Sequence, residues 1–302
     1  MNPIRRIALA LLLASASMAN AAAPAAAVPP APPKNYLWEI SSAGNRIYLY
    51  GTVHAGMASW YPLPAAVEEA FEASRILAVE ADVTDESAME KSQAATIYIP
   101  PANLTTHVPA ADYARFRALL PRYRIPEEAA VKMKPFMASM MLVFSEWARL
   151  GYLPNYGVDV YLINKAKAEN KTLVELEGVD AQMKLMDSLT NDETLELFRG
   201  TVEALESGLT GDQVTSLVKA WQAGNPDGVL AVARSYNDRI PGAGLLEERF
   251  IWSRHDAMMT KITGWLDHGK DRYFVAVGAL HLAGPRGLLE LLRKKGYVVK
   301  QL

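Results

Sequence analysis

The chain has 302 residues, of which half are hydrophobic and 21% are charged, enough to bury one substantial core. Its formal net charge of −2 gives no electrostatic footprint for nucleic acid and no polybasic patch for a membrane surface. The sequence has no cysteine, which excludes disulfides, a thiol nucleophile, cysteine-ligated metals and lipoprotein anchoring.

The N-terminus has the three regions of a secretory signal peptide. Arg5 and Arg6 form the basic region, residues 7–13 form the apolar region, and residues 19–21 read Ala-Asn-Ala, a cleavage site. We therefore expect residues 1–21 to be removed and the mature protein to be periplasmic or secreted, with no stable membrane anchor. An uncleaved anchor is the alternative, because alanines continue to residue 27.

Residues 22–34 are rich in alanine and proline, a composition typical of an extended linker. A single folded domain is expected from residue 35 to residue 302. In its first part, strand-like residues 36–40 and 46–50 flank a turn, which predicts a hairpin with Gly44 and Asn45 at positive φ.

Further on, residues 76–79 form a continuous apolar run that ends at Glu80, the pattern of a buried strand. Residues 172–176 are a second short strand, which ends at Glu177. Prolines and glycines separate the other segments, and in most of these the apolar residues have the spacing of a helix. The predicted helices cover residues 108–120, 126–132, 135–150, 157–169, 180–189, 192–207, 213–223 and 245–266.

One short pattern occurs near each end of the predicted domain. Residues 47–56 read IYLYGTVHAG and residues 274–284 read FVAVGALHLAG. Each is a strand followed by Gly-x-x-His, a helix-like segment and a second strand. The sequence thus predicts an α/β (α+β) fold: a mixed central sheet built from two pseudo-symmetric strand–GxxH–helix–strand halves, with a large helical insert between them.

The repeated motif brings glycines and histidines to corresponding loops. Gly51 and Gly278 lack a Cβ where the backbone turns, which allows close approach of a ligand or a neighbouring chain, and we assign them to ligand or cofactor binding. His54 and His281 then project at the strand ends, where α/β proteins place their chemistry. A single histidine there is more often structural, but the repetition favours a functional pair.

The carboxylates that end the two short strands, Glu80 and Glu177, complete this set. Imidazole is the commonest metal ligand and the usual general base near neutral pH. Two histidines and a carboxylate with open positions would hold a divalent ion that activates water.

These residues lie within a wider resemblance to the TraB/GumN family, which includes the pheromone-shutdown proteins and the Tiki Wnt-inactivating proteases. More distantly, the chain is similar to the erythromycin esterase and ChaN-like proteins. The resemblance runs from residue 36 to the C-terminus, and five segments carry it: LWEI, YLYGTVHAG, ILAVEAD, GVDVYLINKAKAENKTLVELEGVDAQM and FVAVGALHLAGPRGLLELLRKKGYVV.

The resemblance implies a metal-dependent hydrolase that acts on a polypeptide or a small acyl substrate. The implied cofactor is a divalent ion, manganese or cobalt rather than zinc, as in Tiki-type peptide cleavage. The implied metal ligands are His54, Glu80 and His281. This assignment predicts that the two GxxH loops form one site.

Further residues are implied in catalysis. Asp159, Glu177 and Gln182 match the family's middle motif, and Glu177 would be the general base or another ligand. Arg254 would stabilise an oxyanion. Alternatively, Asp159 and Glu177 cap helices or form salt bridges, and Arg254 pairs with one of these carboxylates. His255 stands where the family has an asparagine after Arg254. Either His255 adds a third imidazole to the site, or the pair at residues 254 and 255 is structural in this chain.

Two other functions stay open at this point. A metal-independent hydrolase, in the manner of the esterase relatives, would use His54 and Glu80 to activate water directly. A non-enzymatic protein would capture haem, with a histidine as axial ligand, or a peptide. Chelator sensitivity separates the first of these from a metallohydrolase, and a Soret band without turnover would indicate haem capture.

Overall fold

The computed structural model describes residues 34–240 and 242–302. The predicted signal peptide (1–21) and all but the last residue of the predicted linker (22–34) lie outside the described residues. The described part of the chain forms a compact unit with two hydrophobic cores, one on the sheet and one among the helices that follow it.

A six-stranded sheet organises the fold, in the order β4-β3-β5-β2-β1-β6. Its strands are β1 Leu37–Ser41, β2 Arg46–Thr52, β3 Ile76–Val79, β4 Thr172–Glu175, β5 Tyr273–Gly278 and β6 Val298–Gln301. The four strands β4, β3, β5 and β2 are parallel, whereas β1 is antiparallel to both of its neighbours. This confirms the predicted mixed sheet.

The inner parallel strands β3, β5 and β2 are largely apolar, as expected for strands that are covered on both faces, whereas the edge strand β4 has no fully buried residue. All four residues of β3 are buried, as are six of the seven residues of β2. Strand β5 comes late in the chain, yet it pairs with β2 on one side and β3 on the other. The C-terminal motif is therefore inserted between the two strands of the N-terminal half.

Fourteen α-helices lie within the described residues. They are α1 Ala65–Glu72, α2 Glu86–Ala95, α3 Leu104–His107, α4 Ala110–Leu119, α5 Glu127–Ala130, α6 Pro135–Arg149, α7 Val158–Ala168, α8 Val179–Asp187, α9 Asn191–Glu206, α10 Leu209–Gln222, α11 Pro226–Asn237, α12 Ala243–Leu246, α13 His255–His268 and α14 Leu288–Lys294. Helices α2 to α6 and α8 to α12 form the predicted helical region, although α2, α3 and α11 were not predicted. None of these helices has the length and apolar character that crossing a membrane requires.

One hydrophobic core lies between the sheet and the helices that cover it, and another lies among the helices themselves. The sheet core includes Leu49, Leu77 and Val275, each fully buried. The second core joins α3, α4, α6 and α9 through Phe116, Phe198 and other apolar side chains. The helical region therefore has its own apolar interior beside the sheet.

Two local predictions are wrong. The hairpin between β1 and β2 has no positive φ at Gly44 or Asn45; instead, the Ser42 hydroxyl accepts hydrogen bonds from the Asn45 and Gly44 N–H groups at 3.2 and 3.4 Å. The helix predicted over residues 245–266 is interrupted. A π-helical turn at Glu247–Ile251 and a 3-10 turn at Trp252–Arg254 separate α12 from α13.

Candidate active site

The predicted site residues meet at the carboxyl ends of the four parallel strands. Two residues after β2 comes His54, directly after β3 comes Glu80, two residues after β4 comes Glu177, and three residues after β5 comes His281. Because these strands are parallel neighbours, their ends lie at one edge of the sheet. Open α/β sheets place ligands at this edge.

The space in front of Gly278 is where these groups converge. A Cβ at this position would lie 3.4 Å from Glu80 Oε1, 3.6 Å from His281 Cδ2 and 3.7 Å from His54 Nε2. The glycine N–H also donates to Glu80 Oε1, at 2.7 Å. The missing side chain thus leaves a small cradle bounded by both motif histidines and one carboxylate.

Gly51, the equivalent glycine of the first motif, is surrounded by different residues. A Cβ there would lie 2.3 Å from Cδ1 of the Tyr36 ring, so the position makes room for a packed aromatic side chain. Its carbonyl accepts a hydrogen bond from the Trp221 indole N–H at 2.7 Å. The close approach expected at Gly51 is therefore made by a neighbouring part of the protein.

His54 is held from behind by the start of α7. Its Nδ1 lies 3.1 Å from Asp159 Oδ2, and the Val158 N–H donates to the Val53 carbonyl at 2.9 Å. A Cβ on Gly157 would be 2.6 Å from the His54 carbonyl oxygen. Because residue 157 is a glycine, the start of α7 can lie against the loop that carries His54. This close contact brings Asp159 to the His54 ring.

The pairing with Asp159 determines the charge of His54. The carboxylate raises the pKa of the imidazole to about 9, although solvent screens the attraction because the His54 side chain is 59% exposed. The other carboxylate oxygen, Oδ1, is buried and has no hydrogen-bond partner in the described part of the chain. The contact between Asp159 and His54 is therefore made by Oδ2 alone.

Glu80 is the most central carboxylate. Burial by itself raises its pKa, but the neighbouring His281, Arg254 and His54 and the Gly278 N–H outweigh this and lower the pKa to about 2. Its Oε2 accepts from the Arg254 Nη2 and lies 3.5 Å from Gln182 Nε2. Glu80 is therefore ionised throughout the physiological range.

Arg254 lies between the two carboxylates. Its Nε is 3.0 and 2.9 Å from the Glu177 oxygens, and its Nη2 contacts both Glu177 and Glu80. Its Nη1 donates to the Phe250 carbonyl at 2.8 Å. The residue lies on the 3-10 turn rather than within a long helix, and the irregular turn leaves the Phe250 carbonyl free to accept this bond.

His281 is buried at the base of the site on a 3-10 turn, Ala279–Leu282. Its Nε2 lies 3.2 Å from Arg254 Nη1 and 3.6 Å from Glu80 Oε1. Its Nδ1 lies 2.9 Å from Nε2 of His255. Burial lowers the pKa of His281 to about 3, and the charge of Arg254 adds to this effect. His281 is therefore neutral at neutral pH.

The structure thus brings the predicted ligands and catalytic residues together, and it adds two groups that sequence reasoning missed. Gly157 and the Arg286 carbonyl, which lies 2.8 Å from His255 Nδ1, contribute a close approach and a backbone acceptor. Gly157 is the glycine of the Gly-x-Asp pattern in the middle motif, but neither its approach to the His54 carbonyl nor the role of the Arg286 carbonyl can be read from the sequence. His255 itself touches His281 from outside the cradle.

The donor types in the cradle fit a divalent ion. Imidazole nitrogen and carboxylate oxygen together suit several first-row metals, and a ligand histidine commonly donates its other nitrogen to a carboxylate, as His54 does to Asp159. In the described part of the chain, no three His, Asp or Glu side chains already stand as ligands around one point. The Arg254 guanidinium contacts the Glu80 carboxylate instead.

The sequence matches that of a known family. Residues 36–301 match the TraB/PrgY/gumN family, and the chain belongs to it. The chain is 28% identical to the uncharacterized protein YbaP of Escherichia coli over 274 residues, which are 86% of this chain and 94% of YbaP.

More distant relatives are named as enzymes. The metalloprotease TIKI1 of Danio rerio is 20% identical over 88% of this chain and 63% of its own length. A metalloprotease TIKI homolog of Amphimedon queenslandica is 23% identical over 89% of this chain and 61% of its own length. The chain thus spans less than two thirds of both of these relatives. No solved structure matches.

Proposed function

We propose that this protein is an exported metal-dependent hydrolase of the peptidase type. The observation that carries the proposal is the cradle at Gly278, on which His54 Nε2, Glu80 Oε1 and the His281 ring converge. The distant relatives named as metalloproteases support it. Export rests on the N-terminal sequence alone.

His54, Glu80 and His281 would hold the ion. Bound there, a divalent cation supplies a Lewis acid that polarises a carbonyl and lowers the pKa of water. The surroundings favour an added cation, because Glu80 and Glu177 bring two carboxylates against one guanidinium. The preferred ions are manganese and cobalt.

The remaining groups have roles set by their positions. Glu177 takes the proton from the attacking water as the oxygen adds to the substrate carbonyl carbon, and it returns that proton to the leaving amine as the C–N bond breaks. The N–H groups of Arg254 already meet Glu177, Glu80, the Phe250 carbonyl and His281, so its positive charge, rather than a further hydrogen bond, stabilises the oxygen that gains negative charge. Asp159 orients His54. The substrate is a polypeptide or a small acyl compound.

A metal-independent hydrolase is the second candidate, because the Asp159–His54 contact is also the arrangement that orients a general base. The raised pKa of His54 does not separate the two candidates, because the imidazole must lose its proton both to act as a base and to bind a metal. The metal-dependent function is preferred because the distant relatives are named as metalloproteases.

The test is metal binding by the mature protein, with elemental analysis and calorimetry for manganese, cobalt and zinc. The wild type is compared with a His54→Ala, His281→Ala double variant and with a His107→Ala, His268→Ala double variant, which removes two exposed histidines outside the site. We expect one ion per chain, lost only in the first variant, and chelator-sensitive cleavage of a peptide library. A folded wild type that binds no ion would overturn the proposal.

A further inference from the structure

His255 is joined to the site by a chain of three contacts that ends in a backbone carbonyl. Its Nδ1 lies 2.8 Å from the Arg286 carbonyl oxygen, and its Nε2 lies 2.9 Å from His281 Nδ1. The far nitrogen of His281, Nε2, lies 3.2 Å from Arg254 Nη1. Both imidazoles are almost fully buried, with 3% and 2% of their surface exposed, so water cannot replace a missing partner.

The two ends of this chain fix the direction of every hydrogen bond within it. A carbonyl oxygen only accepts, so His255 must carry its proton on Nδ1. A guanidinium only donates, so Nε2 of His281 must present a lone pair to Arg254. One proton remains for the contact between the rings, and it lies on Nδ1 of His281.

Any other protonation pattern places two donors or two acceptors face to face. If His255 carried protons on both nitrogens, His281 would have to accept at Nδ1, and its Nε2–H would then oppose the N–H of Arg254. The carbonyl at one end and the guanidinium at the other therefore admit one proton on each ring. Two neutral imidazoles, each protonated on Nδ1, satisfy all three contacts.

We propose that His255 is a positioning residue that locks His281 in the Nδ1–H tautomer, so that the Nε2 lone pair of His281 points into the site beside Glu80. Because the Arg286 carbonyl holds the His255 proton on Nδ1, the Nε2 of His255 is left to accept a hydrogen bond from His281 Nδ1, and the proton of His281 is kept away from its Nε2. The effect of this lock on metal affinity rests on the function proposed above, but the tautomer itself does not.

The Trp252 ring holds the relay in place. Its centroid lies 5.3 Å from that of His255, in an edge-to-face arrangement. Both residues belong to the segment that carries Arg254. The donor at one end of the relay, Arg254, therefore comes from the irregular stretch directly before α13, whereas the acceptor at the other end, the Arg286 carbonyl, comes from the loop before α14.

The test is the tautomer of His281, read from the ¹⁵N chemical shifts of the metal-free full-length protein at neutral pH. We expect both His255 and His281 to carry the proton on Nδ1 in the wild type. His281 in the Nε2–H form there would overturn the proposal without any mutation, whether or not the protein binds an ion.

Two variants test the role of His255 itself. His255→Leu removes the acceptor of the His281 Nδ1–H and leaves Arg254 alone to favour this tautomer. A fraction of His281 should therefore move to the Nε2–H form, and manganese affinity should fall about 10- to 100-fold. His255→Gln keeps one acceptor and one donor, and it should restore both properties. His268→Leu, at the exposed end of the same helix, is the control and should change neither.

The outcomes separate the two proposals. An unchanged His281 tautomer in a folded His255→Leu variant contradicts the positioning role. The expected tautomers in a protein that binds no manganese, cobalt or zinc would leave the positioning role intact and contradict the metal-dependent function. If His255→Leu does not fold, the wild-type tautomer and the His255→Gln variant still decide.

Discussion

Asp159 and His54 lie 105 positions apart in the sequence, and their side chains meet at 3.1 Å through Oδ2 and Nδ1. The contact leaves His54 Nε2 directed toward the cradle at Gly278. A carboxylate behind an imidazole holds the ring in one orientation and increases its basicity. Asp159 therefore orients the His54 ring for binding at its Nε2.

The first prediction concerns the protonation of His54. In the metal-free protein, we expect the His54 resonances to titrate near pH 9, because Asp159 raises the pKa to about 9. In Asp159→Asn the charge is lost, and the titration should move toward 6.5, the ordinary value. NMR titration checks this shift, and an unchanged midpoint would contradict the assigned cause.

The same shift has a consequence for stability. Because the folded pKa is raised, the pair stabilises the fold fully below about pH 6.5, and this contribution is lost as the pH rises through about 9. Melting temperatures of wild type and Asp159→Asn should therefore differ most at acidic and neutral pH. The two curves should approach each other above pH 9.

The second prediction compares the two motif glycines. Gly278→Ala places a Cβ at ordinary contact distances of 3.4 to 3.7 Å from its neighbours, and φ at this position is −52°, so the fold should persist. The methyl group fills the cradle, and manganese affinity should fall at least about tenfold. Calorimetry and melting curves measure the two effects separately.

Gly51→Ala should behave in the opposite way. Its Cβ would lie 2.3 Å from the buried Tyr36 ring, and overpacking of this kind costs about 1–3 kcal/mol. We expect a lower melting temperature with metal affinity retained in the folded fraction. Equal effects of the two substitutions would contradict the assignment of Gly278 to the site.

The third prediction concerns Arg254. Arg254→Met leaves two nearly buried carboxylates, Glu80 and Glu177, without their cation, and breaking such a pair costs about 3–5 kcal/mol. Added manganese should recover part of this loss by supplying a cation at Glu80. Chemical denaturation with and without the ion gives both values.

Arg286→Met is the matched control for this experiment. Arg286 pairs with Glu248, and both side chains are about half exposed, so the substitution should cost less than about 1 kcal/mol. Manganese should have the same effect on this variant as on the wild type. A similar loss of stability in both variants would show that the ion pairs of Arg254 contribute no more than an exposed ion pair does.

The fourth prediction concerns the N-terminus. Expressed from its own first methionine in a bacterium, the protein should be recovered outside the cytoplasm with Ala22 as its first residue, because residues 19–21 form the cleavage site. Mass spectrometry of the purified protein measures this directly. A chain that retains Met1 would contradict the signal peptide and favour an anchor.

Local patterns predicted most of the strands and the residues at their ends. The apolar run of β3 and the glutamate that follows it were recognisable because a buried parallel strand has no polar positions. The repeated GxxH motif made His54 and His281 candidates together. Composition and periodicity therefore identified what each element contributes to the site.

Three features depended on contacts that no local pattern records. Nothing in β5 indicates that it pairs between β2 and β3, because its apolar residues suit any buried position. The spacing around Arg254 predicted a continuous helix, whereas a π-helical turn and a 3-10 turn precede α13. His255 acts on the site through another side chain, so only the three-dimensional contacts reveal its relation to His281.

The insertion of β5 between β2 and β3 determines when the site comes into existence. A chain that leaves the ribosome from its N-terminus makes β2 and β3 early, but both lack their shared neighbour until residues 273–278 arrive. Pairing over so long a separation is slow, and the two early strands keep unpaired edges meanwhile. A nascent or C-terminally truncated chain would therefore hold His54 and Glu80 without His281, and the complete site would exist only in the finished molecule.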